Sequence, residues 1–196
     1  MKHIVLASKS PRRKELLERL NLDFEIVVSQ VDEDSYKKNT PQEYVEKLAY
    51  EKAKSVLQLV NKDSIIIGSD TVVVYNNNIL GKPRNEKQAY EYIKKLSGNK
   101  HLVYSGLCII DNKANNHIIC HEVTEVYMKD LNDYEINSYI RTGEPLDKAG
   151  AYGIQGIGAI FVEKIVGDYY NVMGLPLNKL YKGLNEIGVN YFKIKK

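Results

Sequence analysis

The sequence predicts an α/β protein, a mixed, twisted sheet with flanking helices. Short apolar runs of strand length alternate with capped helical segments in the first half of the chain. A long apolar hairpin then dominates the middle, a combination that favours a mixed α/β or α+β sheet. At 196 residues the chain can bury one substantial core, or form two small lobes sharing a cleft.

The first strand falls near residues 4–7 and runs into Ser8-Lys9-Ser10-Pro11-Arg12-Arg13. Ser10 is an N-cap candidate, and Pro11 suits the first helical position, where a missing N–H costs nothing. The helix is predicted over 11–20. A second strand is predicted at 24–28, followed by a polar, mobile loop over 29–39 that contains Asp32, Glu33 and Asp34. Thr40-Pro41-Gln42-Glu43 has the form of a capping box and predicts a helix to about residue 60, with Val45, Leu48, Ala49, Val56 and Val60 on its buried side. Residues 65–68 and 71–75 read as one buried strand interrupted near Ser69-Asp70. Asn76-Asn77-Asn78 supplies a hairpin turn. A helix capped by Asn85 runs to about residue 97. Apolar runs at 102–110 and 118–128 flank a polar turn at 111–116. Asn132 caps a helix to about residue 141; a glycine-rich stretch at 143–158 leads into a strand at 159–165. The last helix is predicted over 175–187.

The composition narrows the function classes. A net charge of +3 is too small for broad nucleic-acid binding, so any basic patch must be local. The apolar runs are far shorter than a membrane span, and the opening residues have no signal-peptide pattern, so a cytoplasmic protein is expected. Cys108 and Cys120 sit in apolar strand patterns without metal or redox spacing, and are expected to be inert buried thiols. His101 has no second histidine at helical or strand spacing and is expected to be structural.

Several residues carry chemistry. Arg12 and Arg13 lie in the first helical turn, where the dipole disfavours cations, unless an anion binds between them and the free N–H groups. Asp70 places a carboxylate inside an otherwise buried run, which demands a cation, metal or water beside it, or local backbone to cap. Lys52 lies on the long helix beside Ala49 and Ala53, whose small side chains allow close packing there, or it is simply solvated, as most helix lysines are. Lys82 is aimed by Gly81 and Pro83, or is simply the solvated member of a turn. Glu33 and its acidic neighbours form either a solvated loop or a source of oxygen ligands for Mg²⁺, which favours one or two carboxylates plus phosphates. The glycines from Gly150 to Gly158 precede a strand rather than a helix, so they do not form a dinucleotide fingerprint. The Gln155 amide, a donor and acceptor together, suits an imide edge such as uracil or thymine, or serves the backbone. Together these residues fit phosphoanhydride hydrolysis.

In this order, Ser8-x-Ser10-Pro11-Arg12-Arg13, Ser69-Asp70-Thr71-Val72-Val73, Gly81-Lys82-Pro83, Asp147-Lys148-Ala149-Gly150-Ala151-Tyr152-Gly153-Ile154-Gln155-Gly156 and Gly167-Asp168-Tyr169-Tyr170-Asn171-Val172-Met173-Gly174-Leu175-Pro176 resemble the Maf family. The likeness spans essentially the whole chain; Ser105 stands where the family often has threonine, and the 29–39 loop diverges. The resemblance implies a single Maf-like domain over 1–196 with an inosine-triphosphatase-like fold, its site in a cleft between two lobes. It also implies nucleoside triphosphate pyrophosphatase activity, cleaving between the α- and β-phosphates. Arg12, Thr71 and Gln155 match positions that mark the dTTP/UTP-preferring branch; modified pyrimidine triphosphates would be further substrates. The expected substrate-binding set is Ser8, Ser10, Arg12, Arg13, Lys52, Thr71, Lys82 and Gln155. Asp70 is expected to act as general base or to hold a divalent cation, Mg²⁺ or Mn²⁺, that Glu33 shares. A homodimer and a link to division arrest rest on the resemblance alone. The competing class is a nucleotide-sensing regulator that binds without turnover.

Overall fold

The structure, a computed structural model, describes residues 2–36 and 39–194. Its strands are β1 (His3–Leu6), β2 (Phe24–Ile26), β3 (Ser64–Tyr75), β4 (Asn78–Leu80), β5 (Lys100–Asp111), β6 (Asn116–Met128) and β7 (Val162–Val166). Its helices are α1 (Pro11–Arg19), α2 (Pro41–Ser55), α3 (Glu86–Leu96), α4 (Asp133–Ile140), α5 (Tyr169–Met173), α6 (Leu177–Glu186) and α7 (Tyr191–Ile194). The sheet order is β2-β1-β3-β5-β6-β7, with β4 paired to β3. β1 is parallel to β2 and β3, whereas β4 and β7 are antiparallel to their partners, so the sheet is mixed as predicted. No described helix is long and apolar enough to cross a membrane.

The chain divides into two compact units. The first holds the residues up to Asp70, Ser105–Glu122 and those from Gly174 onward; the second holds Thr71–Tyr104 and Val123–Met173. In the first, Val5, Ala7, Ile66, Cys108 and Ile110 pack with Ala49 and Ala53 of α2 and with Val56, which follows it. Two glycines let that helix approach. A Cβ on Gly68 would lie 2.2 Å from the Ala49 carbonyl oxygen, and one on Gly106 would lie 2.1 Å from that of Val45. Both contacts fall on backbone, so neither position accepts a side chain without moving α2.

In the second unit, α3 and α4 bury Ala89, Ile93, Leu96, Ile136, Tyr139 and Ile140 against Val73, Val103, Val126 and Phe161. The turn at Asn76-Asn77 has φ of 47° and 61°, the left-handed pair that a two-residue hairpin needs. His101 is buried there with its Nε2 2.7 Å from the Tyr152 hydroxyl, the structural role expected of it. Burial pulls its pKa from 6.5 down to about 4. Below pH 6.5 the unfolded chain takes up a proton that the native imidazole refuses until about pH 4. The His101 contribution to stability is therefore fully present above pH 6.5 and is lost as pH falls through this window, by about 3 kcal/mol at its acid end. Denaturation at pH 7 and pH 4.5 should show that loss, and His101→Gln, which keeps a partner for Tyr152, should flatten it. An equal slope in both proteins would remove His101 as the source.

The expected N-caps are all present, although the capping box expected at Thr40–Glu43 closes only from Glu43 N–H to the Thr40 hydroxyl. Ser10, Thr40, Asn85 and Asn132 each accept a backbone N–H from the residue three positions on, and the Asn132–Glu135 capping box closes in both directions. Other expectations are corrected. β3 runs unbroken through Ser69-Asp70, because the Asp70 charge is satisfied by a side chain rather than by a strand break. α2 stops at Ser55, where Val56 N–H turns back to the Ala53 carbonyl, and Leu57–Leu59 forms a 3-10 turn. Residues 157–161 form a 3-10 turn where a strand start was expected, so β7 begins at Val162. The loop over 29–39 contains a 3-10 turn at Glu33–Ser35; its positions 37 and 38 lie outside the described residues. The helices at Tyr169–Met173 and Tyr191–Ile194 are too short to leave a period in the sequence. Cys108 is buried, which pushes its thiol up to about 12, while Cys120 is only half-buried.

Candidate active site

The order β2-β1-β3 places a switch point at β1: α1 carries the chain to one side of it and α2 to the other. In open α/β sheets, ligands bind outside the carboxyl ends of strands at such a point. The predicted residues of the first unit gather there. Ser8 and Ser10 follow β1 directly. Asp70 extends β3 past its last pairing with β1, which ends at Leu6 and Ile67.

Ile66, Gly68 and Asp70 alternate onto one face of β3. That is the face that packs against α2, where Val45, Ala49 and Lys52 follow helical spacing on one side. With α2 drawn onto the sheet by Gly68 and Gly106, Lys52 is carried to Asp70, its Nζ 2.6 Å from Oδ1. Glu33 Oε1 lies 2.7 Å from the same ammonium. Lys52 and Asp70 are both buried, while Glu33 stays more open with its side chain 41% exposed. The Glu33 carbonyl accepts a hydrogen bond from the Tyr44 hydroxyl at 3.2 Å, which ties the 3-10 turn to α2.

Ser69, one residue before Asp70, leaves the other face of the strand. Its hydroxyl donates to the Gly174 carbonyl at 3.0 Å, and Arg13 Nε donates to the same oxygen at 2.8 Å. Ser8 Oγ accepts from Ser10 N–H at 3.1 Å and from Arg13 Nη1 at 3.3 Å. A hydroxyl with both lone pairs engaged has its proton left to donate. Burial lowers the Arg13 pKa, Asp70 and Glu33 counter that, and Arg12 adds to it; the guanidinium still remains charged. Ser69 and Gly174 were not anticipated as functional residues. Gly174 has φ 116°, and the sequence marked it through its place in the Gly167–Pro176 motif rather than through a role of its own.

The donor set fits a divalent cation bound with phosphate. Two carboxylates, Asp70 and Glu33, converge on one centre of positive charge. Mg²⁺ is commonly held by one or two carboxylates with substrate phosphates completing the shell, so it needs no all-protein cage. Among the described residues no group of three His, Cys, Asp or Glu side chains forms one.

Thr71, Lys82 and Gln155 belong to the second unit. Thr71 is half-buried on β3, Lys82 is exposed, and Gln155 is half-buried in the glycine-rich turn. The Gly150 N–H donates to the Gly81 carbonyl at 3.1 Å, which joins the turn containing Lys82 to the start of that stretch.

This is an α/β protein with an acid pair, a buried lysine and an arginine-backed serine turn at its switch point, the equipment of a phosphate-handling fold. Its fold is that of a HAM1 protein from Coxiella burnetii, which it matches with a TM-score of 0.51 over 95% of this chain and 100% of that one. At 15% identity, that likeness concerns the fold alone. The chain belongs to the Maf family: residues 3–187 match the Maf-like protein description. A protein of Alkaliphilus metalliredigens (strain QYMF) is 53% identical over 95% of this chain and 96% of its own, and is named dTTP/UTP pyrophosphatase. One of Clostridium novyi (strain NT) with the same name is 52% identical over 95% of this chain and 98% of its own.

Proposed function

We propose that this protein hydrolyses dTTP and UTP to the nucleoside monophosphate and pyrophosphate, with modified pyrimidine triphosphates as further substrates. The observation that carries the reading is the buried Lys52–Asp70 pair, 2.6 Å apart, with Glu33 on the same ammonium. A protein that only sensed nucleotides would have no use for a carboxylate held beside the phosphate seat. The names of the half-identical relatives support the same reading.

In the proposed reaction, water attacks the α-phosphorus in line, the bond to the bridging oxygen breaks, and pyrophosphate leaves. Asp70 accepts the proton of the attacking water or ligates the divalent cation. Bound with the phosphates, Mg²⁺ or Mn²⁺ would be held by Asp70 and Glu33 and would supply charge neutralisation. Ser8, Ser10 and the first N–H groups of α1 bind phosphate oxygens. Arg13, Lys52 and Lys82 offset the charge that builds up on the equatorial and leaving oxygens. Arg12, Thr71 and Gln155 select the pyrimidine, Gln155 by pairing its amide with the imide edge. The enzyme acts as one domain in the cytoplasm, as a homodimer.

Pyrophosphate release from a panel of canonical and modified triphosphates, with Mg²⁺ or Mn²⁺, tests the reading. Release should be fastest with dTTP and UTP, and Gln155→Ala should erode that preference roughly tenfold, the scale of losing a hydrogen-bonded base edge. Saturable binding without release across the panel would assign the protein to nucleotide sensing instead. An unchanged preference in Gln155→Ala would remove that residue from base selection.

A further inference from the structure

The glycine-rich turn of the second unit is built around a carboxylate. Glu144 Oε2 accepts the Ile157 N–H at 2.8 Å, and Oε1 accepts both the Gly158 N–H at 3.2 Å and the Tyr139 hydroxyl at 2.9 Å. The Tyr139 oxygen in turn accepts the Gly153 N–H at 3.3 Å. A chain of hydrogen bonds therefore grips the backbone on both sides of Gln155. Lys148 Nζ donates to the Glu144 carbonyl at 2.8 Å and steadies the residue from behind.

The glycine spacing follows from this grip. A Cβ on Gly156 would stand 2.4 Å from both carboxylate oxygens, one on Gly158 2.6 Å from the Tyr139 hydroxyl, and one on Gly153 2.6 Å from Lys148 Cε. The first two of these glycines let the backbone close onto an anion and a phenol, which is a different use from cradling a phosphate. Burial by itself would raise the Glu144 carboxyl. The amides of Ile157 and Gly158, with Tyr139, outweigh it and hold the group below the usual carboxylate range, so it remains an anion.

We propose that Glu144 is a positioning residue for base recognition, fixing the 153–158 backbone so that Gln155 presents its amide in one orientation. The proposal rests on the pyrimidine-selective reading above and deepens it. A side chain that reads an imide edge must hold donor and acceptor to within a few tenths of an ångström, and that order has to come from the residues supporting its loop. Glu144 supplies it without touching the nucleotide. In Glu144→Gln an NH₂ replaces one acceptor oxygen, so a backbone N–H that the native carboxylate receives now faces another donor.

The test compares wild type, Glu144→Gln, Gln155→Ala and the double variant by pyrophosphate release. For Glu144→Gln, KM for dTTP and UTP should rise roughly tenfold while kcat changes less than about twofold, and the preference over purine triphosphates should narrow by the same factor. The double variant should be no less selective than Gln155→Ala alone, because both changes remove one function. A purely structural role for Glu144 would lower the melting temperature and leave KM and preference of the folded enzyme intact, which overturns the proposal. So would a loss confined to kcat, or additive losses in the double variant. Should Glu144→Gln fail to fold, Tyr139→Phe removes one hydrogen bond of the same chain and must shift KM and preference in the same direction, or the proposal fails. The two readings separate cleanly: a wild type that releases no pyrophosphate from dTTP or UTP overturns both. A Gln155→Ala effect without a Glu144→Gln effect overturns this one alone.

Discussion

Asp70→Asn should leave a folded protein whose pyrophosphate release is at least ~10³-fold slower, the scale of removing a general base or a charged metal ligand. The amide has nearly the shape of the carboxylate and still accepts a hydrogen bond from Lys52, now 2.6 Å from Oδ1. Glu33, 2.7 Å from the same ammonium, keeps that lysine paired. The burial cost of an uncompensated charge is thereby limited, and folding should survive where truncation of Lys52 would threaten it. The amide cannot take a proton from water and brings no negative charge to a cation. Both proposed roles therefore fail in the variant, but they fail differently. A ligand role predicts partial recovery at high Mn²⁺, since the amide oxygen can still coordinate; a base role predicts none. Thermal denaturation checks the fold, and pyrophosphate release with a metal titration checks the chemistry. Turnover within tenfold of wild type in a folded variant would remove Asp70 from the reaction.

What the sequence revealed about this site was its oddity rather than its geometry. Asp70 stood out because a carboxylate interrupts Ile65-Ile66-Ile67 and Val72-Val73-Val74, and its pairing with Lys52 explains why β3 continues through it. The pairing itself was not legible: it joins positions 18 apart in sequence, and it depends on how closely α2 packs against the strand. Caps could be read because their partners lie three residues away, as at Ser10, Thr40, Asn85 and Asn132. The end of α2 could not, since the apolar pattern continues to Val60 after the backbone has already turned at Val56. The turn at 157–161 was hidden for a related reason: its N–H groups are held by Glu144, which lies 13 residues earlier than the first of them. Gly174 acts through its carbonyl, a group every residue has, so no side-chain pattern could single it out.

Gly68→Ala should destabilise the protein by about 2–3 kcal/mol and slow turnover further than the loss of folded protein explains. Two effects oppose each other at this position. Replacing glycine in a strand restricts the unfolded chain and, given room, stabilises by about 0.4–1 kcal/mol. Here the new methyl carbon would lie 2.2 Å from the Ala49 carbonyl oxygen and 2.9 Å from the Ala53 nitrogen, both helix backbone. Backbone does not rotate aside, so α2 must retreat by about an ångström, and the overpacking term outweighs the entropic gain. That retreat also draws Lys52, which lies one position before Ala53, off Asp70. Misplacement of this size at a reacting centre can cost about 10²-fold in rate. Gly81→Ala provides the contrast, because a Cβ there meets nothing within 4 Å, and its stability should change by less than about 0.5 kcal/mol. Melting temperatures of the two variants, followed by pyrophosphate release well below the Gly68→Ala transition, separate the effects. A Gly68→Ala protein as stable as wild type would mean that α2 does not rest on this glycine. One that is destabilised yet fully active when folded would mean that the Lys52–Asp70 distance does not govern turnover.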